Sequence, residues 1–280
     1  MGNSLMKLIV FSDGSANQIA LLKRISELTE IRAWVLYSRK ETQDKSNLMK
    51  RSKKLLLNLF TFSVEHTWIK LQRRYLDQLK DFEISPALKV ANINDEEVSK
   101  LIKREQPNLV LVSGTNLLKK HLIDEIKKSG KIINLHTGLS PYINGGPNCT
   151  NWCLYSGKFQ YVGTTVMYIN EGIDSGDIIA TEHIQLMTTR NPLQLHLQLM
   201  EKSHELVCEV LKILLRGDVC VGINQSHVSV NGRTYFSKEW NFWKSIIAYF
   251  NFYKLRYLTR PSRRESKNGP LTFTPTIKRS

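Results

Sequence analysis

Three side chains with complementary chemistry fall within one short span of the 280-residue sequence: Asn134, His136 and Asp174. An amide N–H can stabilise an oxygen that gains negative charge during acyl transfer. An imidazole can take or give a proton near neutral pH. A carboxylate beside it favours the charged ring and fixes its tautomer. The run Ile132-Ile133-Asn134-Leu135-His136 reads as a buried strand. Side chains two apart on a strand share a face, so Asn134 and His136 are predicted side by side. From Thr137 to Pro147 the chain holds three Gly and two Pro, a shaped loop and not a helix. Val162 to Ile169 alternates as a second strand and runs into Glu171-Gly172-Ile173-Asp174-Ser175-Gly176-Asp177, a tight acidic turn. On general grounds a strand-end histidine is more often structural or solvated than catalytic, so the residues by themselves leave both readings open.

The elements that must position these groups alternate between strand and helix. Lys7 to Phe11 is an apolar run ending in Ser12-Asp13-Gly14-Ser15, and Ala16 to Leu28 has helical spacing, which puts a ligand site at a helix N-terminus. Ile31 to Tyr37, Lys89 to Ala91 and Leu109 to Val112 read as further strands. A long basic helical segment over Glu41 to Leu79 and helices over 94–105 and 122–128 lie between them. This order predicts an α/β fold with a doubly wound, mainly parallel sheet of Rossmann type. Thr181 to Leu186 adds a strand, and Pro192 opens a helix to about Arg216. Val228 to Phe236 reads as a hairpin with Asn231-Gly232 at its tip. An aromatic, basic helix follows to Leu258, and packing with Trp243, Ile247, Phe250 and Leu258 as core is favoured over a membrane or nucleic-acid face. The expected division is a catalytic domain over 1–220, a hairpin-and-helix extension over 221–258 and a disordered, Pro-, Ser- and Arg-containing tail over 259–280.

Composition fits a soluble globular chain, with 41% hydrophobic and 23% charged residues and no apolar run long enough to cross a bilayer. Four cysteines without paired CxxC spacing argue for a reducing, cytoplasmic setting and against a zinc site. The net charge is +15, and Arg233 to Ser280 alone carries eleven Lys and Arg against two Glu. Such charge suits nucleic acid, an anionic membrane surface, phosphorylated small substrates or merely solvated faces.

The motifs Asn134-Leu135-His136, Leu139-Ser140-Pro141-Tyr142, Gly163-Thr164-Thr165-Val166 and Asp174-Ser175-Gly176 follow a known order and spacing. In them the chain resembles the folate-dependent formyltransferases, which include glycinamide ribonucleotide, methionyl-tRNA and sugar-nucleotide enzymes. The resemblance is strongest over 108–179. It implies a formyltransferase-like core and transfer of a formyl group from 10-formyltetrahydrofolate to an amine, with no metal. It further implies Asn134, His136 and Asp174 as the catalytic set. Gly114, Thr115, Leu117, Gly172 and Ile173 would wall the folate pocket, and Gly14, Ser15, Asn17, Pro141 and Tyr142 would face the acceptor. The loop Gly138-Leu139-Ser140-Pro141 departs from the Ser-Leu-Leu-Pro of methionyl-tRNA enzymes, and the segment after Arg216 is short and helical for their C-terminal barrel. Gly232-Arg233-Thr234-Tyr235 and Lys238 loosely resemble the tail of some polysaccharide-cluster formyltransferases. The expected acceptor is therefore a nucleotide-linked amino sugar for surface polysaccharide. Aminoacyl-tRNA is the alternative, because the charge suits RNA. A homodimer and peripheral membrane contact through the basic C-terminus are left open, and nucleic acid is the less favoured partner.

Overall fold

A computed structural model describes residues 6–38, 62–146, 148–228, 232–258 and 270–278. Its centre is a seven-stranded sheet. In chain order the strands are β1 (Leu8–Asp13), β2 (Ile31–Tyr37), β3 (Leu88–Val90), β4 (Leu109–Ser113), β5 (Lys131–His136), β7 (Gly163–Tyr168) and β8 (Ile178–His183), with a short β6 (Ile143–Gly145) outside it. Across the sheet the order is β3-β2-β1-β4-β5-β7-β8. The first five strands are parallel, and β7 and β8 add antiparallel at one edge.

Period-two alternation assigns each strand residue to a layer. Leu8, Val10, Leu109, Leu111, Ile133 and Leu135 pack with helix α1 (Ala16–Ser26) and the C-terminal half of α6 (Pro192–Leu215). Ile9, Phe11, Val110, Val112 and Ile132 face the other way, onto α3 (Glu96–Glu105) and α4 (Lys120–Lys127). Burial on both faces explains the near-continuous apolar runs of β1 and β4. Strand order reverses between β1 and β4, and a crevice at such a switch point, beyond the carboxyl ends of the strands, is where open α/β sheets bind ligands.

A third apolar cluster joins α2 (Val64–Gln78), the N-terminal half of α6, and α5 (Cys149–Ser156), with Trp152 and Tyr75 nearly fully buried. Helix α5 begins directly after the Gly- and Pro-rich loop, where no helix was expected, and Asn148 caps it by accepting from the Thr150 N–H at 3.0 Å. Cys149 and Cys153 thus lie on a buried helix and not in a loop, and all four cysteines are free thiols.

The C-terminal elements differ from the sequence reading in two ways. Residues 229–231 of the expected hairpin lie outside the described residues, and β10 (Arg233–Tyr235) pairs parallel with β6. Helix α7 (Phe242–Leu258) does pack on the body, but through Ser245, Ala248 and Phe252. Trp243, Ile247 and Phe250, expected as core, are 71%, 44% and 55% exposed. Apolar residues on all sides of this helix left its phase undetermined by the sequence. Second, residues 270–278 of the expected disordered tail are tied to the body: Thr276–Lys278 (β11) pairs antiparallel with Val219–Val221 (β9), and Phe273 exchanges hydrogen bonds with Thr181 on β8. Residues 39–61, which hold much of the expected long basic helical segment, and residues 259–269 lie outside the described residues. Among the described residues no helix is long and apolar enough to cross a membrane.

Candidate active site

Asn134 and His136 sit at the carboxyl end of β5, opposite Met167 and Thr165 of β7. The turn after β7 brings Asp174 to them from the far side. Its Oδ1 accepts from Asn134 Nδ2 at 3.2 Å, and its Oδ2 accepts from the Gly145 N–H at 2.7 Å. The same Oδ2 lies 3.4 Å from His136 Nδ1, with both side chains nearly buried. The other ring nitrogen, Nε2, is 3.1 Å from the Ile143 carbonyl. A carbonyl only accepts, so Nε2 carries the hydrogen. Nδ1 is then the position at which the ring gains or loses its second proton, directly against the carboxylate.

Local sequence shapes this arrangement. Asp174 has φ +47°, a left-handed conformation that Asp tolerates better than most residues. Gly138 is required beside the ring, because a Cβ there would come within 2.6 Å of His136 Nε2 and 2.8 Å of Cys149 Cβ. Thr165 Oγ1 donates to the Gly138 carbonyl and accepts from the Ser140 N–H, pinning the loop to β7. Cys149 Sγ lies 3.6 Å from His136 Nε2, and burial raises its pKa well above the ordinary thiol value, so it stays a neutral neighbour.

The three groups open into a cavity of about 930 Å³. Its walls include Gly114 to Leu118 and Asn170 to Gly176, with Met167 and Ile169. Gly114 has φ +75°, and its bare Cα lets the chain pass close to Asp13. Asn92, Asn94 and Asn116 brace this loop: Asn94 Nδ2 donates to the Leu117 carbonyl, and its Oδ1 accepts from the Lys119 N–H. This trough combines backbone and apolar side chains with the polar Asn116, Asn170, Glu171 and Ser175. Asp13, Ser15, Asn17, Gln18, Glu65, Trp68, Asn151 and Trp240 line the same cavity.

Of the residues expected from the sequence, Asn134, His136, Asp174, Gly114, Thr115, Leu117, Gly172, Ile173, Ser15 and Asn17 all line this one cavity. Gly14 does not, although both its neighbours do. Pro141 and Tyr142 turn away: Tyr142 is buried, stacks on Tyr161 with centroids 4.6 Å apart, and accepts from the Leu271 N–H. The N-terminus of α1, expected to bind a ligand anion, is already served from within. Asp13 accepts from the N–H and hydroxyl of Ser15, and Gln72 Oε1 accepts from the Ala16 N–H at 2.7 Å. Burial raises the Asp13 carboxyl pKa, and the Ser15 donors oppose that shift. Glu65, Asn151, Trp240 and Gln225 were not foreseen, since no local motif marks them.

Residues 6–211 match the family model for formyl transferase, and the chain belongs to that family. Among curated proteins it is similar to methionyl-tRNA formyltransferase of Finegoldia magna, 33% identical over 121 residues, which are 43% of this chain and 38% of that one. It is also similar to methionyl-tRNA formyltransferase of Fusobacterium nucleatum, 30% identical over 50% of this chain and 46% of that one. The chain thus spans less than half the length of these relatives. Among solved structures it resembles a 4-N formyltransferase from Francisella tularensis, with TM-score 0.55, 15% identity and coverage of 98% of this chain and 99% of that one. A sugar N-formyltransferase from a Shewanella species gives TM-score 0.55 and 13% identity, with 88% of this chain and 87% of that one covered. HypX from Aquifex aeolicus in complex with tetrahydrofolic acid gives TM-score 0.50 and 16% identity, with 89% of this chain and 34% of that one covered.

Proposed function

We propose that this chain transfers a formyl group from 10-formyltetrahydrofolate to the amine of an amino sugar, carried on a nucleotide and used in surface polysaccharide. The observation that carries the reading is that Asp174 meets both the Asn134 amide and the His136 ring in the wall of one cavity that also takes in Gly114 to Leu118, Asn170 to Gly176, Ser15 and Asn17. The trough residues Gly114, Thr115, Leu117, Gly172 and Ile173 would hold the folate, which supplies the formyl group. The acceptor would enter from the Ser15 and Asn17 side.

Asn134 Nδ2 is the donor for the formyl oxygen as it gains charge. His136 takes the proton that the attacking amine releases, at Nδ1. Asp174 positions both partners and stabilises the charged ring that results. The Ile143 carbonyl keeps the ring from rotating and fixes which nitrogen works.

Likeness over most of both chains to a protein described as a sugar N-formyltransferase supports the sugar acceptor. The more identical relatives are methionyl-tRNA enzymes, and the net charge suits RNA, so aminoacyl-tRNA is the second reading. The test is formyl transfer by purified protein to a panel of amino-sugar nucleotides, glycinamide ribonucleotide and charged initiator tRNA. Transfer to an amino sugar supports the reading, and transfer to tRNA alone contradicts it.

A further inference from the structure

The short strand β6 is hydrogen-bonded along both edges. On one edge, the Ile143 carbonyl lies 3.1 Å from His136 Nε2, and the Gly145 N–H donates to Asp174 Oδ2 at 2.7 Å. The Ile143 N–H donates to the Leu139 carbonyl, and the Gly145 carbonyl accepts from Cys149 Sγ at 3.4 Å. Neighbouring residues of a strand turn their main-chain groups to opposite edges. Tyr142, Asn144 and Gly146 therefore face the other way, and β10 pairs with them there. The Arg233 N–H donates to the Tyr142 carbonyl and the Gly146 N–H to the Tyr235 carbonyl, both at 3.1 Å.

A two-stranded ribbon is marginal unless its side chains are anchored. Here they are. Tyr235 is buried and stacks on Trp152 with centroids 4.6 Å apart, and Trp152 Nε1 donates to the Gly146 carbonyl at 3.1 Å. Trp240 meets the same indole edge-on, with centroids 4.8 Å apart. The backbones also approach closely. A Cβ on Gly145 would stand 2.1 Å from the Tyr235 carbonyl oxygen, and one on Gly232 would stand 1.8 Å from the Pro141 carbonyl oxygen. Neither contact leaves room for a side chain, so a substitution there forces the two segments apart.

Any shift of β6 would move two things together: the acceptor that fixes the His136 ring and a donor that fixes the Asp174 carboxylate. β10 lies beyond the matched residues 6–211. We propose that β10 is a positioning element for the reaction, in which the Arg233 main chain and the Tyr235 ring hold β6 from its outer edge and so orient His136 and Asp174. This brace rests on the roles given to those two residues under the proposed function.

Arg233 and Gly232 are exposed, so changes there disturb the pairing without emptying the core. Arg233→Pro removes the N–H that Tyr142 accepts, while Arg233→Ala keeps it. Gly232→Ala wedges a methyl group against the Pro141 carbonyl. With 10-formyltetrahydrofolate and an amino-sugar nucleotide, Arg233→Pro and Gly232→Ala should lower kcat by about tenfold or more, with both KM values unchanged. Arg233→Ala should keep the wild-type kcat. In protein labelled with nitrogen-15 at histidine, the His136 Nε2–H should exchange slowly in wild type and Arg233→Ala. It should exchange fast in the other two variants at temperatures where melting curves show them folded. A strand that served stability alone would lower the melting temperature and leave this signal in place. Slow exchange retained in folded Arg233→Pro and Gly232→Ala overturns the brace, whatever their kcat, and leaves the formyl-transfer reading standing. Failure of wild type to formylate any amino sugar overturns that reading, and the histidine signal then still decides the brace.

Discussion

Gln225 holds the turn that carries Asp174: its Nε2 donates to the Asp174 carbonyl at 2.9 Å and to the Gly176 carbonyl at 2.7 Å. One amide thus fixes a carboxylate 51 residues away in sequence, whose left-handed backbone would otherwise be free to relax. Gln225→Ala should lower kcat by about tenfold, since small displacements of a reacting group are costly. Gln225→Glu should do no better, because a carboxylate cannot donate to two carbonyls. Equal kcat in all three proteins would show that the turn holds itself.

The roles given to Asn134 and His136 predict losses in turnover with the fold intact. Asn134→Ala should reduce kcat by about 10²–10³-fold, the usual cost of removing one donor to a developing oxyanion. His136→Ala should cost about 10²–10⁴-fold, as for a lost general base. Circular dichroism and melting curves should show both variants folded. Rates near wild type in a folded His136→Ala protein would remove the histidine from the mechanism.

Two further histidines should set the acid limit of stability. Burial lowers the His196 pKa from 6.5 to about 4 and, with Arg24 nearby, that of His204 to about 3. The unfolded chain therefore takes up protons first as pH falls. The stability of keeping these rings neutral is complete above about 6.5 and is lost toward the folded values, at about 1.4 kcal/mol per pH unit for each ring. Urea midpoints measured at pH 7.5, 6.5 and 5.5 should fall accordingly, and His196→Leu should roughly halve the slope. A slope unchanged by that substitution would place the acid sensitivity elsewhere.

Phe273, just before β11, hydrogen-bonds to the edge strand β8. Removing residues 270–280 would leave the Thr181 N–H and the Tyr142 hydroxyl without the partners that Phe273 and Leu271 supply. The expected cost is about 1–3 kcal/mol, read as a lower melting temperature. Faster hydrogen exchange at Thr181 and a tendency to self-associate through the bared β8 edge should accompany it. An unchanged melting temperature and unchanged protection at Thr181 would contradict this role.

What was legible in the sequence was what local pattern controls. The apolar runs of β1, β4 and β5 gave a parallel sheet, and two-residue spacing put Asn134 and His136 on one face. What was not legible depends on distant pairing or on ambiguous phase. Helix α5 starts immediately after a Gly- and Pro-rich loop and is buried around most of its circumference, so neither propensity nor periodicity announced it. The core face of α7 could not be told from its exposed face, because both carry aromatics. The β6–β10 pairing joins segments some ninety residues apart, and Glu65, Trp240 and Gln225 reach the site only through such long-range contacts.

The central claim is best tested by following the formyl carbon itself. Purified protein would be given 10-formyltetrahydrofolate labelled with carbon-13 in the formyl group, together with amino-sugar nucleotides, and the label traced by NMR. The account predicts that the label appears in a formamide on the sugar nitrogen, with one tetrahydrofolate formed per product, and that His136→Ala abolishes the signal. Label that stays on the folate, or emerges only as free formate with every amino sugar offered, would contradict it.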